Sequence, residues 1–95
     1  MQQRRILIVD DEAGLRELVR INLEHEGFAV LQAENGAQGV AIAHEQQPDL
    51  VLLDVMMPEM DGWEACRRLR EFSQVPVLML TARVQSQDVV SGLDR

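Results

Sequence analysis

Three short, uninterrupted apolar runs, ILIV at residues 6–9, LVLL at 50–53 and VLML at 77–80, each stop at a polar residue: Asp10, Asp54 and Thr81. Runs that are apolar at both odd and even positions suit strands covered on both faces, as in a parallel sheet, better than strands with one wet face. The stretches between them have helical spacing. Leu15, Leu18, Val19 and Leu23 recur at three- and four-residue steps, with Asp11 where an N-cap stands and Gly27 as the glycine after the last turn. FAVLQA at residues 28–33 reads as a further strand. Asn35 with Gln38 three residues on forms a capping-box pattern, and it opens a second helix with Ala37, Val40 and Ala41 on one face. Pro48 marks the turn after it, PEMDG breaks the chain after the Asp54 run, and Trp63, Cys66 and Leu69 predict the inward stripe of a third helix. Residues 76–80 predict the fourth strand, with Pro76 tolerable at its first position, and Ser86 caps a last helix carrying Val89, Val90 and Leu93. Strands alternating with helices over short connections imply right-handed βαβ units, hence a doubly wound parallel α/β sheet with helices on both faces. The 95 residues suffice for one domain, residues 1–95.

In such sheets ligands bind beyond the carboxyl ends of the strands, where the strand order reverses. The polar residues that end the apolar runs therefore carry the expectation of function. Asp10, Asp11 and Asp54 would meet at one sheet edge beside Thr81, although Asp54 lies 43 positions after Asp11. Carboxylates so close repel one another, and a hard divalent cation relieves the repulsion. Mg2+ takes one or two carboxylates, keeps water and leaves room for phosphate oxygens. An aspartate there can act as a nucleophile and form an aspartyl phosphate, and Asp54 is the candidate acceptor. Helix capping is the plain reading of Asp10 and Asp11, and a strand-end threonine that of Thr81. Asp54 ends a buried run and has no local helix to cap, so its charge calls for a ligand or partner.

ILIVDDE, DLVLLDVMMPEMDG and VPVLMLTA, in this order, resemble the receiver domain of bacterial two-component response regulators, over residues 4–95. The resemblance implies a flavodoxin-like fold and a phosphoacceptor role for Asp54, with a sensor histidine kinase as donor and an output that the phosphoryl group switches. It also implies an Mg2+ site of Asp10, Asp11, Asp54 and the Met56 backbone carbonyl, with Asp11 binding directly and Asp10 mostly through water. Thr81 matches the hydroxyl that moves to the phosphoryl oxygen, Ala82 the small residue that leaves the site open, and Pro58 and Gly62 the turn that shapes the loop after the acceptor. Family members continue past GLD at residues 92–94 into a fifth strand ending in a lysine, then a fifth helix, and this chain contains no lysine. The sequence is accordingly read as a C-terminally truncated receiver of four strands. Its bared edge strand at residues 76–80 is expected to drive formation of a homodimer or higher oligomer.

Lys and Arg number 9 against 16 for Asp and Glu, a net charge of −7, so direct nucleic-acid binding by this chain is not expected. The start MQQRRILIVD lacks the form of a signal peptide and no apolar run reaches the roughly 20 residues of a membrane span, so a cytoplasmic protein without membrane contact is expected. The single cysteine, Cys66, reads as a small core-facing residue, and His25 and His44 as helix-end histidines without a second ligand at metal spacing. Two other functions remain open. One is a signalling-impaired structural or interaction fragment that self-associates. The other is a Mg2+-dependent aspartyl-phosphate phosphatase, against which Met56 stands where a second acid would serve as general acid. The expectation is a signalling domain and not an enzyme.

Overall fold

The computed structural model describes residues 3–55 and 62–80. In chain order the elements are β1 (Arg5–Val9), α1 (Ala13–His25), β2 (Ala29–Ala33), α2 (Gly36–Gln46), β3 (Leu50–Asp54), α3 (Gly62–Arg70) and β4 (Val77–Leu80). All strand pairs are parallel, in the order β2-β1-β3-β4. The chain thus crosses one way through α1 to reach β2 and the other way through α2 and α3 to reach β3 and β4. The direction reverses between β1 and β3, where Val9 lies beside Leu53 and the two strands run on into Asp10 and Asp54.

The two sheet faces divide by residue parity, as the pleat requires. Leu7, Val9, Ala33, Val51 and Leu53 pack with Ala43 of α2 and with Ala65 and Leu69 of α3 in one buried cluster. Ile6 and Ile8, also buried, point to the opposite face. So does Gln32, which accepts a hydrogen bond from Arg16 of α1 at 3.2 Å and so places α1 on that side.

Two of the expected caps form. Gly27, at φ 96°, closes α1 in a Schellman arrangement: its N–H donates to the Glu24 carbonyl at 3.0 Å and that of Phe28 to Leu23 at 3.1 Å. The Gln38 N–H donates to Asn35 Oδ1 at 2.7 Å, while Gln38 Oε1 reaches back to the Glu34 N–H at 2.7 Å. That bond falls one residue earlier than a standard capping box. The start of α1 differs from the sequence reading. Its N-cap is Glu12, without a side-chain cap bond, and Asp11 lies one residue outside. The N–H of Glu12 is instead taken by Asp10 Oδ1 at 2.8 Å, an Asx turn.

Of the expected inward residues, Leu69 is buried and Val40 and Cys66 pack against the core, but others are corrected. Leu18 is 57% and Trp63 67% exposed, and Ala37 and Ala41 lie on the surface. The buried residues are Gly36, Gly39 and Ala43 in α2, and Gly62, Ala65 and Leu69 in α3. The strands already supply the bulk of the core, so the helices present small residues and sit close against the sheet. A Cβ on Gly39 would stand 2.7 Å from Val9 Cγ2. Cys66 is half-buried against the same cluster, and His44 meets the Phe72 ring edge-on, with centroids 4.8 Å apart.

Ion pairs lace the outer helix surfaces. Arg20 bridges Glu17 and Glu24, and Glu64 holds Arg67 and Arg68. The hydrogen bond from Arg67, then that from Arg68, lowers the Glu64 carboxyl below the usual glutamate range, and Arg20 lowers Glu17 in the same way. Carboxyls lowered in the folded state contribute stability above their unfolded pKa and lose it as pH falls through the folded value. The urea midpoint is therefore expected to drop on acidification below about pH 4.5, with only a small share due to these exposed, salt-screened pairs. Glu64→Gln should flatten that acid limb slightly; an unchanged limb would contradict the pairing.

Candidate functional site

β1 and β3 are the two central strands, and each ends in a carboxylate. Asp10 is 1% and Asp54 0% exposed, while Asp11 is half-buried. One carboxylate oxygen from each of the three lies within 4.8 Å of the others. Among the described residues this is the one group of acidic, histidine or cysteine side chains close enough to share a metal ion. Asp11 joins it because the Asx turn at Asp10 carries the chain over the strand end before α1 begins, which is also why Asp11 does not cap the helix.

The backbone around Asp10 is tied on three sides. Its N–H donates to the Ala33 carbonyl at 3.1 Å, its Oδ1 accepts from Glu12, and its carbonyl accepts from Arg16 Nη1 at 2.6 Å. Arg16 was not singled out in the sequence. Its two acceptors, the Asp10 carbonyl six positions before it and the Gln32 side chain on β2, leave no local pattern that would have pointed to it.

On the other side of the site, Gly62 begins α3 directly over the end of β3. Its N–H donates to the Val55 carbonyl at 3.3 Å. A Cβ at this position would lie 2.6 Å from Val55 Cα and 2.7 Å from the Asp54 carbonyl oxygen. Both are backbone atoms, so only a residue without a side chain permits this approach. Leu80 is the register partner of Asp54 at the end of β4. Met56, Pro58, Thr81 and Ala82, which sequence reasoning added to the site, lie outside the described residues, as does the last helix expected from Ser86.

Three oxygen donors of like charge, two of them buried, suit a small hard cation and not a soft one. They would hold it at the mouth of the strand-order reversal, where open α/β sheets bind ligands. No helix among the described residues is long and apolar enough to cross a membrane.

The family model for the response regulator receiver domain matches residues 6–95. The chain is 50% identical over 93 residues to the DNA-binding dual master transcriptional regulator RpaA of Synechocystis sp., a match covering 95% of this chain and 39% of that protein. It is 46% identical to the transcriptional regulatory protein ResD of Bacillus subtilis, over 97% of this chain and 38% of that one. The chain thus spans about two-fifths of the length of these relatives. Among solved structures, the chemotaxis protein CheY4 of Vibrio cholerae superposes with a TM-score of 0.82 at 29% identity, covering 98% of this chain and 80% of that chain. The BeF3-activated N-terminal receiver domain of Klebsiella pneumoniae RstA does so with a TM-score of 0.80 at 30% identity, covering 96% and 78%. With its parallel four-stranded sheet and an acidic cluster at the point of reversal, this chain belongs to the response regulator receiver domain family.

Proposed function

We propose that Asp54 is the phosphoacceptor of this receiver domain and that Asp10, Asp11 and Asp54 itself hold its Mg2+, joined by the carbonyl of Met56. The observation that carries this reading is the burial of Asp54 at the strand-order reversal, within 4.8 Å of two further carboxylates. The donor is a phosphohistidine of a sensor kinase. An Asp54 carboxylate oxygen forms a bond to phosphorus as the histidine N–P bond breaks, and the imidazole leaves with the electron pair. The bound cation would neutralise charge on the phosphoryl oxygens and bring carboxylate and phosphorus together. The chain's own contribution is position. β3 holds Asp54 still, β1 and the Asx turn bring Asp10 and Asp11 beside it, and Gly62 keeps the α3 backbone close without filling the site. Thr81 follows the register partner of Asp54 and is proposed to meet the phosphoryl oxygen, with Ala82 leaving the approach open and Pro58 and Gly62 shaping the loop.

RpaA carries DNA binding in its name. We assign this chain, with its net charge of −7, the phosphoacceptor step and not the DNA contact. The reading places it in the cytoplasm, where its kinase donors act. It also includes association with a second copy, for which Leu18, Ile21 and Leu78, each more than half exposed, offer apolar surface. Light scattering at micromolar concentration should then give a dimer, and a monodisperse monomer counts against it.

Acetyl phosphate tests the main claim. Incubated with Mg2+, the chain should gain one phosphoryl group per molecule, mapped to Asp54, and Asp54→Asn should gain none. Sustained turnover would favour a phosphatase, and an unlabelled wild-type chain a structural fragment.

A further inference from the structure

The guanidinium of Arg16 joins three elements at the acidic site. It projects from the first turn of α1, donates through Nη1 to the Asp10 carbonyl at 2.6 Å, and through Nε to Gln32 Oε1 on β2 at 3.2 Å. The carbonyl it grips belongs to the peptide that joins Asp10 to Asp11. The plane of that peptide governs the direction in which both carboxylates leave the backbone. The Asp10 N–H and Oδ1 are held by Ala33 and Glu12, and Arg16 holds its carbonyl. Gln32 in turn fixes the planar fork from behind. Lysine cannot substitute, because one ammonium on a flexible stem does not span two acceptors with a set angle between them.

We propose that Arg16, anchored by Gln32, is a positioning residue that holds the Asp10–Asp11 peptide in the orientation a divalent cation requires. This rests on the reading of the cluster as a cation site. Charge and position predict opposite outcomes. A guanidinium beside the cluster repels a cation, so its removal would tighten Mg2+ binding if charge were its role. If position is its role, removal loosens binding despite the lost repulsion. Outer-shell partners of ligand residues contribute roughly 10- to 100-fold to metal affinity.

The test is titration of the full chain with magnesium chloride, followed by amide chemical shifts, for wild type, Arg16→Met, Arg16→Lys and Gln32→Leu. Arg16→Met and Arg16→Lys should each raise the dissociation constant about tenfold or more, and Gln32→Leu by a smaller factor. Combining Arg16→Lys with Gln32→Leu should add little to Arg16→Lys alone, because the two act through one contact. Leu69→Ala, a destabilised control in the opposite core, should leave the constant unchanged, which separates positioning from general loss of stability. Equal or tighter binding in Arg16→Met, or full rescue by Arg16→Lys, overturns the proposal while the cation site stands. A wild-type chain that binds no magnesium overturns both.

Discussion

Gly62→Ala is expected to destabilise the domain by roughly 2–3 kcal/mol and to disable the site together with the fold around it. The added methyl would meet Val55 Cα at 2.6 Å and the Asp54 carbonyl oxygen at 2.7 Å. No side chain can rotate away from these contacts, so either α3 lifts from the sheet or the end of β3 moves, and Asp54 moves with it. Gly39→Ala makes a useful comparison. Its methyl would press on the Val9 side chain, 2.7 Å from Cγ2, on the α2 face of β1. That variant should lose stability too, yet retain more magnesium affinity, because the strain falls on a core side chain and not on the acceptor's backbone. Urea unfolding of both variants, paired with magnesium titration, checks the ordering. A Gly62→Ala chain as stable as wild type would mean that α3 does not start so close to Asp54.

Magnesium is expected to stabilise the native chain, and Asp54→Asn to raise its stability in the absence of metal while removing most of the magnesium response. Carboxylate oxygens of Asp10, Asp11 and Asp54 lie within 4.8 Å of one another, with Asp10 and Asp54 buried. Unit charges at such a separation interact by about 3 kcal/mol at an effective dielectric of about 20, which sets the scale for the gain on removing one of them. A cation that binds only the folded state adds about 1.4 kcal/mol at ten times its dissociation constant. Thermal melts with and without millimolar magnesium, for both chains, measure the two effects together. Identical melting temperatures for the wild-type chain across that range would show that the cluster does not take the ion.

The strands and the acidic site were legible in the sequence because each is written in a strong local signal. ILIV, LVLL and VLML are apolar at both parities, and each observed strand falls on one of these runs or on the FAVLQA segment, within a residue of its expected ends. Asp10, Asp11 and Asp54 stood out as charges at the ends of buried runs. The inward helix faces were less legible. A search for apolar residues at helical spacing picks Leu18, Ala37, Ala41 and Trp63, all of which lie on the surface. Leu69 is read correctly, but the other inner positions are Gly36, Gly39, Ala43, Gly62 and Ala65, small residues whose value is the close approach they permit to strands that already fill the core. Smallness carries no periodic hydrophobic signal, so it becomes visible only once Val9 and the Asp54 carbonyl are seen beneath them. The cap of α1 was misplaced for a related reason. Asp11 fits an N-cap by residue type, but its carboxylate is drawn to the cluster, and Asp10 takes the Glu12 N–H instead. Arg16 escaped notice because its acceptors, a main-chain carbonyl and a side chain on the neighbouring strand, have no counterpart in a linear pattern.

Beryllofluoride binding followed by fluorine NMR tests most directly whether these carboxylates form one magnesium-dependent phosphoacceptor site. Beryllofluoride mimics a phosphoryl group on a carboxylate, so its bound resonance reports acceptor and cation in a single spectrum. A site built on Asp54 with Asp10 and Asp11 as ligands gives a bound resonance at one equivalent per chain, which disappears on chelating magnesium and is absent from Asp54→Asn. A bound resonance that survives chelation, or that persists in Asp54→Asn, would contradict it.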